Sequence, residues 1–124
     1  MISLALLGAL LAAQPLDCGN AVTQADMNEC AARSSRDADA ELNRLWPQVV
    51  RQMQTSDREG SSNGEGERRL RAAQRAWIAF RDAQCQLEGV EALGGSMESM
   101  LVYGCVAQMT ERRVNELRVM LGGN

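Results

Sequence analysis

Four cysteines are the residues of this sequence whose chemistry is most readily inferred from their spacing. They stand at positions 18, 30, 85 and 105 of a 124-residue chain. Zinc sites built from cysteine use closely spaced pairs, and no such pair exists here. If the chain is exported, as its first segment predicts below, an even number of widely spaced cysteines in a short chain instead favours disulfide bonds. The sequence therefore predicts two disulfides among Cys18, Cys30, Cys85 and Cys105, and no metal site.

The other polar residues argue against catalysis. The chain has no histidine, so it lacks the commonest general base and the commonest metal ligand. The serines have no base beside them, and no glycine-rich loop joins a strand to a helix to hold phosphate. We expect no catalytic residue, no cofactor and no enzyme activity. A net charge of −3 gives no attraction to nucleic acid but favours a basic protein partner.

The first segment predicts export. Residues 2–13 carry no charge and only one polar side chain. A permanent transmembrane helix needs about 20 residues, whereas a signal peptide has a shorter apolar run that ends in small residues. We predict a signal peptide over residues 1–13 and a mature domain over residues 14–124. That domain would be periplasmic or secreted, with no stable membrane insertion. A buried first helix is the alternative.

Apolar residues recur at intervals of three and four in three stretches, which predicts three helices and an all-α fold. The first helix starts after Thr23 and covers about 24–54. Pro47 lies inside it and should bend or split it. A polar loop over 56–66 separates it from a second helix that starts near Glu67. No useful stretch alternates with a period of two, so we expect no sheet.

The second helix carries two aromatic residues, Trp77 and Phe80, on the side that we expect to pack against the other helices. This helix ends within residues 89–95. Ser96 can cap the third helix, and Gly122-Gly123 closes it. We therefore predict three main helices in an antiparallel bundle.

The turn between the last two helices selects the cysteine pairing. In an antiparallel hairpin about position 95, residues equidistant from the turn face one another. Cys85 and Cys105 each lie ten residues from that position, so we predict that they pair. Cys18 then bonds Cys30, which lies about two turns inside the first helix, within reach of a segment that doubles back. The predicted bundle is thus stapled by two disulfides.

Two arginines fall on the apolar faces of their helices. Arg81 lies on the stripe of the second helix and Arg113 on that of the third. A buried guanidinium needs a partner, and Asp39, Glu41 and Asp82 are the candidates. We interpret Arg81, Arg113, Asp39 and Glu41 as a structural ion-pair network that fixes the register of the helices. A pocket for an anion or a partner is the alternative hypothesis.

These residues form a pattern that resembles a known family over residues 18–121. The pattern is similar to the N-terminal domain of the LprI-type lysozyme inhibitors. It comprises Cys18, the run Thr23-Gln24-Ala25-Asp26-Met27-Asn28-Glu29-Cys30, Ala38-Asp39, Leu42-Asn43, the run Gln74-Arg75-Ala76-Trp77-Ile78-Ala79-Phe80-Arg81-Asp82-Ala83-Gln84-Cys85, Gly94-Gly95-Ser96, Cys105, Thr110, Arg113 and Glu116-Leu117. The resemblance implies a small, exported, disulfide-linked helical domain of bacteria, and the name-giving members of the family inhibit lysozyme.

Two classes of function follow. The first is an exported binding protein that inhibits lysozyme by protein–protein contact. For this function, the turn at Gly94-Gly95-Ser96 and the loop over 56–66 are two surface features that can fill a cleft. The second is a structural or stress module of the cell envelope with another partner and without lysozyme inhibition.

Overall fold

The fold consists of three α-helices, as the sequence predicts. A computed structural model describes residues 15–122, so the predicted signal peptide lies outside the described residues. The helices are α1, Gln24–Glu59; α2, Glu65–Glu88; and α3, Glu98–Met120. Short 3₁₀ turns cover Cys18–Asn20 before α1 and Gly89–Ala92 after α2. Residues 15–122 contain no strand, so the all-α prediction is confirmed.

Contacts between α1 and α3 establish the direction of the helices. Near the start of α1, the Asn28 amide donates a hydrogen bond of 2.7 Å to the backbone oxygen of Ser96, just before α3. Farther along α1, Glu41 forms an ion pair with Arg118, close to the end of α3. The two helices therefore run the same way. With α2 reversed between them in the chain, the bundle alternates in direction.

The start of α1 follows the prediction, and the helix is not split at its proline. The Thr23 hydroxyl accepts a hydrogen bond of 3.1 Å from the backbone N–H of Asp26 and caps the helix. The helix then continues without a break through Pro47 to Glu59, so of the two expected effects, a bend or a split, the split is wrong. Pro47 removes one backbone donor, but apolar side chains on both sides of it, such as Leu45 and Val49, are buried in the same core.

An aliphatic core joins the second half of α1 to the start of α2 and the end of α3. Each large aliphatic side chain that is buried contributes about 1.5–3 kcal/mol. Trp46, Met53, Trp77 and Leu121 pack at the edge of this core. Its buried members are Leu42, Leu45, Val49, Val50, Leu70, Val114 and Leu117.

The loop between α1 and α2 is shorter than predicted, because one carboxylate organises it. Asp57, in the last turn of α1, accepts hydrogen bonds from the Ser62 hydroxyl at 2.6 Å and from the backbone N–H groups of Gly66 at 3.0 Å and Glu67 at 2.9 Å. It thereby caps the start of α2, where Gly64 has no side chain to do so. The loop is confined to residues 60–64.

The start of α3 also differs from the prediction. Ser96 does not cap the helix, which begins after Met97 with no side-chain cap. Instead the Glu98 carboxylate turns back and accepts a hydrogen bond of 2.9 Å from the backbone N–H of Gly94. Gly94 has a φ of +77°, a conformation that glycine adopts at little cost. The side chain of Glu98 thus ties the turn to the helix that follows it.

Replacement of the capping carboxylate should destabilise the protein in a pH-dependent way. The hydrogen bond from Ser62, followed by the backbone N–H groups, lowers the pKa of Asp57. Because the pKa is lower in the folded state, this contribution to stability is present above about pH 4 and is lost as the pH falls through the folded pKa. We expect Asp57→Asn to lower the melting temperature by a few degrees at pH 7 and by less at pH 2.5.

Glu59→Gln is the matched control, since Glu59 is an exposed acid two residues away that forms no ion pair within residues 15–122. Its melting temperature should follow the wild type at both pH values. A deficit of Asp57→Asn that is equal at pH 7 and pH 2.5 would contradict the role assigned to the carboxylate.

Candidate functional site

Arg81 contacts all three helices. Its side chain lies on α2 and is only 11% exposed. Its Nη1 donates to Asp39 Oδ1 on α1 at 2.9 Å and to Thr110 Oγ1 on α3 at 3.2 Å, and its Nε donates to Asp82 Oδ1 at 3.0 Å. Thr110 is fully buried. Arg81 therefore supplies the buried hydroxyl with a donor and joins the three helices at one point.

Trp77 packs beside two guanidinium groups. The Cζ atom of Arg81 lies 5.2 Å from the centroid of its ring and that of Arg113 lies 5.8 Å away, both within the range of a cation–π contact. Arg113 donates from Nε to Gln74 Oε1 at 2.9 Å and from Nη1 to Glu116 Oε2 at 3.0 Å. The cationic groups are thus satisfied within the protein, which favours a structural role over an anion pocket.

The four residues predicted to form one ion-pair network lie in separate groups. Glu41 forms an ion pair with neither Arg81 nor Arg113. Glu41 pairs with Arg44 on its own helix and with Arg118 on α3. These hydrogen bonds lower the pKa of Glu41, with that from Arg44 the largest cause. Glu41 thus still links α1 to α3, but the prediction that it partners Arg81 or Arg113 is wrong, because Asp39 and Gln74 occupy those places.

The sequence predicts that Phe80 packs between helices, but this prediction is wrong, because the side chain is 59% exposed. At 100° per residue, Phe80 lies about 100° from the centre of the inward stripe of α2. Two positions of that stripe, Gln74 and Arg81, are polar. The spacing of the apolar residues alone therefore gives the wrong inward face for α2 and places Phe80 on it. Trp77 does pack at the edge of the core.

Removal of the Arg81 guanidinium should destabilise the fold. In Arg81→Met, the buried Thr110 hydroxyl and Asp39 lose their donor, which we expect to lower the free energy of unfolding by about 2 kcal/mol. Arg75→Met is the control, because Arg75 is an exposed arginine on the same helix with no ion pair in the described part of the chain; it should change stability by less than about 0.5 kcal/mol. Equal denaturant midpoints for the two variants would disprove the role of Arg81.

Both disulfides lie at one end of the bundle, beyond Arg81. Cys18 bonds Cys30, with Cα atoms 5.6 Å apart, and Cys85 bonds Cys105, with Cα atoms 5.4 Å apart. This is the pairing that the hairpin geometry predicts. The contact between Asn28 and Ser96 brings the start of α1 to the same level. We call this region, residues 15–32 and 83–110, the disulfide end.

The charges of the protein are segregated along the bundle. All 13 arginines lie within residues 33–81 and 112–118, so the disulfide end contains no basic residue and the rest of the chain has a formal charge of +3. At the N-terminal side of this end, the Asn20 amide and the Gly19 N–H lower the pKa of Asp17 and keep it ionised. The formal charge of the disulfide end is −6, from Asp17, Asp26, Glu29, Glu88, Glu91 and Glu98.

Exposed apolar side chains accompany this negative charge. We call residues 87–97, the end of α2 and the connection to α3, the tip. Leu93 is 73% exposed there. Tyr103, on the first turns of α3, is also exposed and lines an open depression next to Ser96 and Asn28. The other exposed large apolar residues of the tip are Leu87, Val90 and Met97.

Several contacts fix the conformation of the tip. Gly89 is buried so closely against α3 that a Cβ atom at this position would collide with Val102. Glu98 holds Gly94, and the Cys85–Cys105 bond closes the base of the hairpin. The tip is therefore a rigid, acidic and partly apolar surface, in contrast to the internally paired cluster around Arg81.

Residues 15–122 show neither a cluster of metal ligands nor a membrane-spanning helix. No group of three or more His, Cys, Asp or Glu residues in that range could hold a metal ion. None of its helices is both long and apolar enough to cross a membrane.

Comparison with known proteins shows the family. The sequence profile described as lysozyme inhibitor LprI matches residues 17–117. The chain belongs to the LprI family. This LprI-family chain is similar to an uncharacterized protein of Rhizobium meliloti (strain 1021), with 48% identity over 109 residues, 85% of this chain and 78% of the relative.

A second relative of the LprI-family chain is the uncharacterized protein YecT of Escherichia coli (strain K12). It is 27% identical over 99 residues, which cover 75% of this chain and 61% of YecT. No solved structure matches the chain with significant similarity.

The disulfide end was missed by sequence reasoning, although its charges stand in the printed sequence. Each of the two segments has only three acids, and neither looks unusual alone. The sequence signal was the absence of arginine from both segments, 15–32 and 83–110. Only the fold shows that these segments lie side by side.

Proposed function

We propose that this LprI-family protein is exported and inhibits lysozyme by direct contact, with the disulfide end as the contact surface. The observation that carries the proposal is the coincidence at that end of net negative charge, exposed apolar side chains and covalent bracing. The description of the family supplies the class of partner.

Charge complementarity supports a basic partner. Animal lysozymes are basic, and an acidic patch without arginine attracts such a protein more strongly than the net charge of −3 would suggest. Screening over about 8 Å at physiological salt confines the attraction to charges near the contact. The six acids at the disulfide end therefore affect attraction to a basic partner at that end more than the formal charge of +3 on the rest of the chain does.

Two features support export. Disulfide bonds form and persist in oxidising compartments such as the periplasm, and this chain places all four cysteines in disulfides. The predicted signal peptide over residues 1–13 provides the route. A lysozyme that attacks the cell wall would then meet the inhibitor outside the cytoplasm.

A turbidity assay tests the proposal. Oxidised mature protein is added to a basic animal lysozyme, and clearing of a cell-wall suspension is followed at low and physiological salt. We expect clearing to slow in proportion to inhibitor concentration, and more inhibitor to be needed as salt rises. Undiminished clearing at a large molar excess would overturn the proposal and favour the envelope module without lysozyme inhibition.

Charge reversal locates the electrostatic contribution. Glu91 is exposed in the tip, so we expect Glu91→Arg to weaken inhibition about three- to tenfold at low salt, chiefly through slower association. Glu59→Arg makes the same change at the far end of α1, where Glu59 is also exposed, and should inhibit like the wild type. Equal loss in the two variants would show that only the overall charge matters.

A further inference from the structure

We infer that the tip, residues 87–97, enters the substrate cleft of the lysozyme, with Val90 and Leu93 as the apolar centre of the contact. This inference rests on the proposed function and adds the part of the surface that binds and where it binds. It follows from the distribution of apolar exposure, the bracing of the turn and the shape of the connection.

Exposed apolar residues are concentrated at the tip. Four of the large apolar residues that the structure leaves exposed fall within its eleven positions, and Tyr103 is close by in α3. Exposed apolar side chains accompanied by charged residues are typical of a protein interaction site. The charged residues in and next to the tip are acids, namely Glu88, Glu91 and Glu98.

The tip is also braced before any partner arrives. A rigid element loses less conformational entropy on binding than a flexible one, so more of the contact energy appears as affinity. The Glu98 carboxylate and the Asn28 amide hold the backbone on both sides of Gly95, and Gly89 fixes the 3₁₀ turn against Val102.

The shape of the connection fits a concave site. Gly94 and Gly95 carry no side chains, and a Cβ atom placed at Gly94 would have no neighbour within 4 Å. The backbone is therefore free to approach the wall of a cleft closely. Leu93, directly before these glycines, projects the most exposed apolar side chain of the tip.

The loop at the opposite end is the less suitable insert. Residues 60–64 are glycine, serine and asparagine, with no apolar side chain to bury. The Ser62 hydroxyl already donates to Asp57, and the start of α2 carries arginines such as Arg68. Of the two features that the sequence offered for filling a cleft, the structure favours the turn before α3.

A matched pair of uncharged substitutions tests the apolar centre. Leu93→Asn removes the apolar side chain of the tip without altering charge. Val119→Asn does the same at a residue that is 68% exposed at the far end of α3. Binding of oxidised mature proteins to a basic animal lysozyme is measured by titration calorimetry, and helical content by circular dichroism. We expect about a tenfold or greater loss of affinity for Leu93→Asn and none for Val119→Asn.

The outcomes separate the two proposals. If the wild type neither binds nor inhibits lysozyme, both the proposed function and this inference fail. If the wild type binds and folded Leu93→Asn binds equally well, the proposed function stands and the inference is overturned. Should Leu93→Asn lose helical content, Val90→Asn replaces it under the same criteria, since Val90 is exposed on the adjoining turn.

Competition with a sugar locates the binding site on lysozyme. A short N-acetylglucosamine oligomer occupies the cleft, so we expect saturating oligomer to weaken binding of the wild-type protein in proportion to its occupancy. Affinity that is unchanged by the oligomer would place the contact outside the cleft and overturn the inference, whereas inhibition by masking another surface would remain.

Discussion

The hydrogen bonds of one arginine join the three helices of this small fold. Arg81 reaches Asp39 on α1 and Thr110 on α3 from its own place on α2. The aliphatic core lies to one side of it and the two disulfides to the other. A chain with four aromatic residues builds only a modest core, so paired polar groups and covalent bonds complete what apolar burial begins.

The two ends of the bundle differ in charge and in how they are stabilised. Toward the core, arginines are numerous and many pair with carboxylates on the same helix, as Arg69 does with Glu65 and Arg71 with Glu67. Toward the disulfides, acids stand without any basic residue. Because cross-links stabilise that end, its surface is free to keep apolar groups exposed, which is the property that a binding surface needs.

The sequence was sufficient for the helices, the cysteine pairing and the inward position of Arg81, because each depends on periodicity along one helix or symmetry about one turn. It failed where the answer depends on a neighbouring helix. Glu41 pairs with Arg118 and not with Arg81. Phe80 is exposed, because polar residues occupy part of the inward face of α2. The short loop that Asp57 organises and the acidic charge of the disulfide end could be recognised only from the fold, since both depend on residues from different segments of the chain.

Hydrogen–deuterium exchange of the oxidised protein, alone and with a basic animal lysozyme, tests most directly the central claim that the disulfide end binds the enzyme through its tip. The account predicts slower exchange in the complex for the amides of residues 89–97 and unchanged exchange for residues 60–64. Slower exchange confined to residues 60–64 or to the second half of α1, with none at the tip, would contradict it.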